Sequence, residues 1–138
     1  MELGETLMPN DTALVTVLAV LLYFSTALSV AQARRKFNVP LPAVSGNADF
    51  ERIFRIQMNT LEWMAIFLPL LWLFAYYVSD IGAAMLGLVW IVGRILYSIG
   101  YTRAVDRRRT GFLIQSSACI VLLIGAVIGI VGHIAHGV

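Results

Sequence analysis

The sequence predicts an all-α integral membrane protein, an antiparallel bundle of four transmembrane helices. Three observations carry that prediction. Of the 138 residues, 59% are hydrophobic and only 13% charged, with a mean hydropathy of +0.83. A soluble domain carries about a quarter charged residues and could not cover itself with so little polar surface. Apolar runs long enough to cross about 30 Å of hydrocarbon recur four times. All ten basic residues gather at one end of those runs. Disorder is excluded as well, because low hydrophobicity and high net charge are both missing. The length allows one domain, residues 1–138.

The first helix is expected at about 12–35, where Ala13 to Ala33 is a run of 21 residues without a charge. Ala31-Gln32-Ala33 mimics a signal cleavage site, but acids precede the apolar run and cations follow it. That order is reversed for a secretory signal, so a retained span is expected. Pro40, Pro42 and Gly46 mark the next stretch, Asn38 to Asn47, as a loop. The second helix, about 50–77, takes Asp49 as its expected cap and Glu51 in its first turn, where the macrodipole favours an acid. It carries Glu62, and Pro69 is expected to kink it. After the tight turn Val78-Ser79-Asp80, capped by Ser79 or Asp80, the third helix runs over about 80–104 and carries Arg94. The fourth, about 111–135, contains the uncharged run of 21 residues from Phe112 to Gly132. Backbone groups inside a bilayer must bond internally, which makes each of these runs a helix.

Charge sets the orientation. Arg34, Arg35, Lys36, Arg52 and Arg55 flank the first connector. Arg103, Arg107, Arg108 and Arg109 flank the third, and Arg94 lies nearer that end. The N-terminal stretch (Glu2, Glu5, Asp11) and the Asp80 turn carry acids alone. Short basic loops stay cytoplasmic, so a multi-pass protein with both termini away from the cytoplasm is expected. Cations beside a span also touch anionic head groups, which makes membrane lipids expected partners; no nucleic-acid partner is expected. Arg107 and Arg109 are assigned to that lipid and topology role.

Ionisable residues at bilayer depth are costly and mark candidate sites. At about 100° per residue, Arg52, Arg55, Asn59 and Glu62 fall at roughly 0°, 300°, 340° and 280°, one stripe on the second helix. Gln57, at roughly 140°, faces elsewhere. On the third helix Arg94, Tyr97 and Tyr101 form a second stripe, which Arg108 joins if the helix continues that far. A single ion pair such as Glu62 with Arg94 would be packing glue. So many polar groups on two faces favour a ligand site at the cytoplasmic end. Several guanidiniums, a carboxylate, amides and phenols complement a small zwitterion with more than one carboxylate. Glutathione fits that description, as one among several anionic solutes. Cys119 suits core packing, His133 and His136 an interfacial position, and Trp72, Tyr76 and Tyr77 an outer aromatic belt. One cysteine and two histidines offer no metal site.

The run Phe50-Glu51-Arg52-Ile53-Phe54-Arg55-Ile56-Gln57-Met58-Asn59-Thr60-Leu61-Glu62 closely resembles the central motif of the MAPEG family, the membrane-associated proteins of eicosanoid and glutathione metabolism. Gly93 to Arg103 is similar to the family's third-helix segment. The likeness is greatest to the branch of microsomal glutathione transferases and leukotriene C4 synthase. It implies a homotrimer with glutathione as co-substrate, bound between adjacent subunits, and no metal. Carried over by position, Arg55, Gln57, Asn59, Glu62 and Trp63 from the second helix, Arg34 from the first, and Tyr97 and Tyr101 from the third would bind glutathione. Arg108 would stabilise the thiolate and Arg35 assist proton transfer, with Arg52 and Arg94 in support.

The implied activity is a glutathione S-transferase acting on a lipophilic electrophile from the bilayer, with lipid hydroperoxide peroxidase activity as a further option. Trp63 stands where the branch has a tyrosine, and an indole can only donate. Ile120 replaces a tryptophan near the lipid tail of leukotriene C4 synthase. Both departures point to a broader substrate range. Two other functions remain open: a non-catalytic family member that binds lipid or glutathione, and a small four-span multidrug transporter. The first would not keep Arg55, Glu62 and Arg108, and the second needs a carboxylate in a first span that has none.

Overall fold

The computed structural model describes residues 8–137, so Glu2 and Glu5 lie outside the described residues. Four long helices follow one another: α1 (Asn10–Lys36), α2 (Ala48–Tyr77), α3 (Asp80–Arg103) and α4 (Arg109–His136). A short 3₁₀ turn, Asp106–Arg108, leads into α4. All four helices are long and apolar enough to cross a membrane. At 1.5 Å per residue even the 24 residues of α3 extend about 36 Å. α2 and α3 each pack against every other helix, whereas α1 and α4 touch both of them but not each other. The central pair is therefore flanked by α1 on one side and α4 on the other.

Flat and small side chains bring the helices together. The rings of Phe67 and Trp90 stack at 4.0 Å between α2 and α3. Ala19, Leu71, Ala83 and Leu122 fill the core around them, and Cys119 is buried in the same cluster. Gly87 lets α1 approach α3, because a Cβ there would stand 2.6 Å from Val15. The opposite surface is apolar too: Leu14, Leu21, Phe24, Leu28 and Ile128 are exposed on the chain, as lipid-facing residues are.

The caps differ in part from expectation. Asn47, not Asp49, caps α2, accepting from the Phe50 N–H, while Asp49 pairs with Arg52. Both are good capping residues, and Asn47 occupies the extended position that precedes the helix. Ser79 caps α3 through the Gly82 N–H. Asp80 is thereby free to reach α1, where it accepts from the backbone N–H groups of Asp11 (3.1 Å) and Thr12 (2.8 Å) and from the Thr12 hydroxyl. The second connector thus clasps the start of α1. α2 continues through Pro69 as one helix. Trp72 donates to the Thr16 hydroxyl, and Tyr77 meets His133 edge to face.

Candidate functional site

The C-terminal ends of α1 and α3 and the N-terminal ends of α2 and α4 share the basic end of the bundle. Tyr97 and Tyr101 are one helical turn apart on α3 and both buried, with ring centroids 5.6 Å apart. Asn59 on α2 donates from Nδ2 to the Tyr97 phenol oxygen at 2.7 Å. Arg108 arrives by a different route from the one expected. α3 ends at Arg103, Ala104 is extended, and the 3₁₀ turn folds the chain back. Gly100 permits that return, since a Cβ there would collide with the Arg107 carbonyl. The Arg108 guanidinium then lies over the Tyr101 ring, 5.2 Å from its centroid.

Asn59, Trp63, Tyr97 and Arg108 line one cavity of about 660 Å³ between α2, α3 and α4. Trp63 meets Phe112 edge to face at 5.7 Å on its wall. Arg109, assigned from sequence to topology and lipid contact, lines this cavity as well, as do Val105 and Asp106. Phe112 and Asp106 were not recognisable in advance. One reads as the start of an apolar span, the other as part of a polar connector.

Arg34, Arg35 and Gln57 lie elsewhere, along a second cavity of about 500 Å³ between α1 and α2. Gln57 faces away from Asn59, as its helical angle requires. Arg34 also closes the first connector, donating to the Ala43 carbonyl at 2.5 Å with its guanidinium over the Phe50 ring. Arg55 and Glu62 are exposed on α2 and line neither cavity. One chain therefore divides the expected residues between opposite flanks of the bundle.

Arg94 is 0% exposed inside the bundle. It donates to the Thr60 hydroxyl at 2.6 Å and to Gln115 Oε1 at 3.3 Å, and its guanidinium sits 4.1 Å from the Tyr97 ring centroid. An ion pair between Glu62 and Arg94 does not form, because Arg94 points inward and Glu62 outward. Among the described residues the ion pair is Arg52 with Asp49. Also among them, no group of His, Cys, Asp or Glu is placed to hold a metal. Thr60 and Gln115 are neutral residues inside apolar spans, and only their polarity at that depth hinted at a buried partner.

Fold and site together define a four-span integral membrane protein with a cationic, aromatic-walled cavity at its basic end. Residues 12–128 match the sequence profile of the MAPEG family. The chain is 40% identical to human microsomal glutathione S-transferase 2 over 118 residues, covering 86% of this chain and 80% of that protein. It is 36% identical to rat leukotriene C4 synthase over 133 residues, covering 94% and 89%. An uncharacterised protein of Synechocystis is 49% identical over 118 residues, covering 86% of each chain. The chain belongs to the MAPEG family.

Proposed function

We propose that this protein is a membrane-bound glutathione S-transferase. It binds glutathione between neighbouring subunits of a homotrimer, at the cytoplasmic end, and activates the thiol for attack on lipophilic electrophiles. The observation that carries this reading is Arg108 on the wall of the cavity it shares with Asn59, Trp63 and Tyr97. The names of the relatives, a microsomal glutathione S-transferase and a leukotriene C4 synthase, support the same chemistry.

A free thiol of pKa about 8.5 is only a few per cent thiolate at neutral pH, and the thiolate is the nucleophile. A guanidinium is permanently charged, and beside the sulfur it favours the ionised form in a water-poor groove. Each pKa unit so gained is worth about 1.36 kcal/mol. In the reaction the thiol proton leaves to water, the new sulfur–carbon bond forms, and the electrophile's leaving group departs with its electron pair. Arg35 assists the proton transfer. Arg55, Asn59 and Tyr101 bind the glutathione, and Glu62 accepts from its ammonium. Reduction of lipid hydroperoxides is a second outlet for the same thiolate.

The division of residues supports the assembly. Arg34, Arg35 and Gln57 line a cavity on the α1 flank, separate from the cavity on the α4 flank of the same chain. A head-to-tail interface, closing as a ring, would bring the α1 flank of one copy against the α4 flank of the next. The test is the ultraviolet thiolate signal on adding glutathione to detergent-purified protein, wild type beside Arg108→Ala. A signal that the variant loses while still binding glutathione is expected. Binding without thiolate in either protein would favour a non-catalytic binding protein, and no binding would favour a transporter.

A further inference from the structure

We propose that Arg94 is a positioning residue for the thiol chemistry: it holds Tyr97 from behind and supplies an unneutralised positive charge behind the cavity wall. The inference rests on the transferase reading above. Arg94 has no acidic partner among the described residues, and its contacts are a hydroxyl, an amide oxygen and an aromatic face. Its buried Nε has no hydrogen-bond partner among them. Two neutral dipoles and an aromatic face orient the guanidinium without cancelling its charge.

Such an arrangement is costly as mere packing. A buried, unpaired charge is among the most expensive groups a bundle can hold, and apolar side chains of similar volume often replace buried charges without loss. The charge is also well placed. The guanidinium packs on the ring of Tyr97, which lines the cavity, is 2% exposed and is bonded at its oxygen by Asn59. A unit charge within about 10 Å of a thiol, at an effective dielectric near 20, shifts it by roughly one pKa unit or more. Arg108 thus acts on the sulfur from the open side and Arg94 from the closed side.

The experiment titrates the thiolate absorbance of bound glutathione against pH in detergent-purified wild type, Gln115→Glu, Arg94→Met and Arg94→Lys. Gln115→Glu keeps Arg94 in place but sets a carboxylate on its guanidinium, so it probes the charge without removing the side chain. Gln115→Glu and Arg94→Met are each expected to raise the bound thiol's pKa by roughly one unit, about a tenfold loss of thiolate at neutral pH. The glutathione affinity should change far less, and Arg94→Lys should stay near the wild-type pH profile. Folded Gln115→Glu and Arg94→Met proteins with the wild-type thiol pKa would overturn the proposal and leave Arg94 as packing. If Arg94→Met does not fold, Gln115→Glu alone decides. A wild type with no thiolate at any pH below that of free glutathione would overturn the transferase reading itself.

Discussion

Asn59 and Tyr97 join α2 to α3 through a hydrogen bond of 2.7 Å, from the amide Nδ2 to the phenol oxygen, at the wall of the larger cavity. Tyr97 is held on its other side by Arg94, and its ring lies beside that of Tyr101, over which Arg108 sits. The five side chains form one connected cluster, of which Asn59, Tyr97 and Arg108 line the cavity. Removing the phenol oxygen breaks it at a single point. Tyr97→Phe should cost about 1 kcal/mol of stability, the usual net worth of a neutral hydrogen bond. It should also weaken glutathione binding, because Asn59 loses the partner that orients it. Thermal unfolding and a glutathione titration on the same preparation check both. An Asn59→Ala, Tyr97→Phe double variant should be little worse than either single one, since the pair acts as a unit.

The α3–α4 contact depends on two glycines. A Cβ at Gly111 would run into the backbone of Tyr97 and the Gly93 carbonyl, and one at Gly93 would stand 2.7 Å from the backbone nitrogen of Gln115. Helical backbone cannot yield as a side chain can. Gly111→Ala should therefore force α4 away from α3, costing about 1–3 kcal/mol or more and displacing Tyr97 from Asn59. Gly132→Ala is the matched control, since nothing lies within 4 Å of that position. It should leave the unfolding temperature unchanged or slightly raised. Ala favours a helix over Gly at both positions, so an equal rise in the two variants would show that helix propensity, not close packing, is being read.

The four spans and the side on which the cations lie were legible because a bilayer imposes them residue by residue. The direction of Gln57 was legible too, since helical geometry alone separates it from Asn59. The approach of Arg108 was not. It depends on a turn at Ala104 and on the space above Gly100, and neither leaves a periodic trace. Nor was the environment of Arg94. Thr60 and Gln115 are neutral, and a threonine in a helix can equally satisfy itself on a preceding carbonyl, as Thr60 also does with Ile56. Asp80 illustrates the same limit: it reads as a local cap, yet it bonds α1, some 68 residues earlier in the chain.

Glu62 is exposed on α2 and makes no ion pair among the described residues. A free carboxylate on the stripe that carries Asn59 is suited to an ammonium group. Glu62→Gln keeps the shape and removes the charge, so it should weaken glutathione binding by roughly tenfold, the worth of one charge-assisted hydrogen bond. The fold should be unaffected. Isothermal titration with glutathione and with an analogue lacking the α-amine checks the assignment: the analogue should bind wild type and variant alike. An unchanged affinity for glutathione itself would remove Glu62 from the site.

The separation of Gln57 from Arg108 on opposite flanks makes the assembly testable without a structure of the oligomer. If each site takes its α1 flank from one chain and its α4 flank from the next, Gln57→Ala and Arg108→Ala damage different halves. Each variant alone spoils every site. Co-expressed in equal amounts, the two chains mix, and a site is whole only when each neighbour supplies its intact flank. Random mixing in a closed ring makes that about a quarter of all sites. Thiolate formation should therefore return to roughly a quarter of the wild-type amplitude in the mixed protein. Mixing the purified variants in detergent, where subunits stay in their own oligomers, should restore none. A mixed preparation as inactive as its parents would place a complete site within one chain, and the α1-flank residues would then serve another purpose.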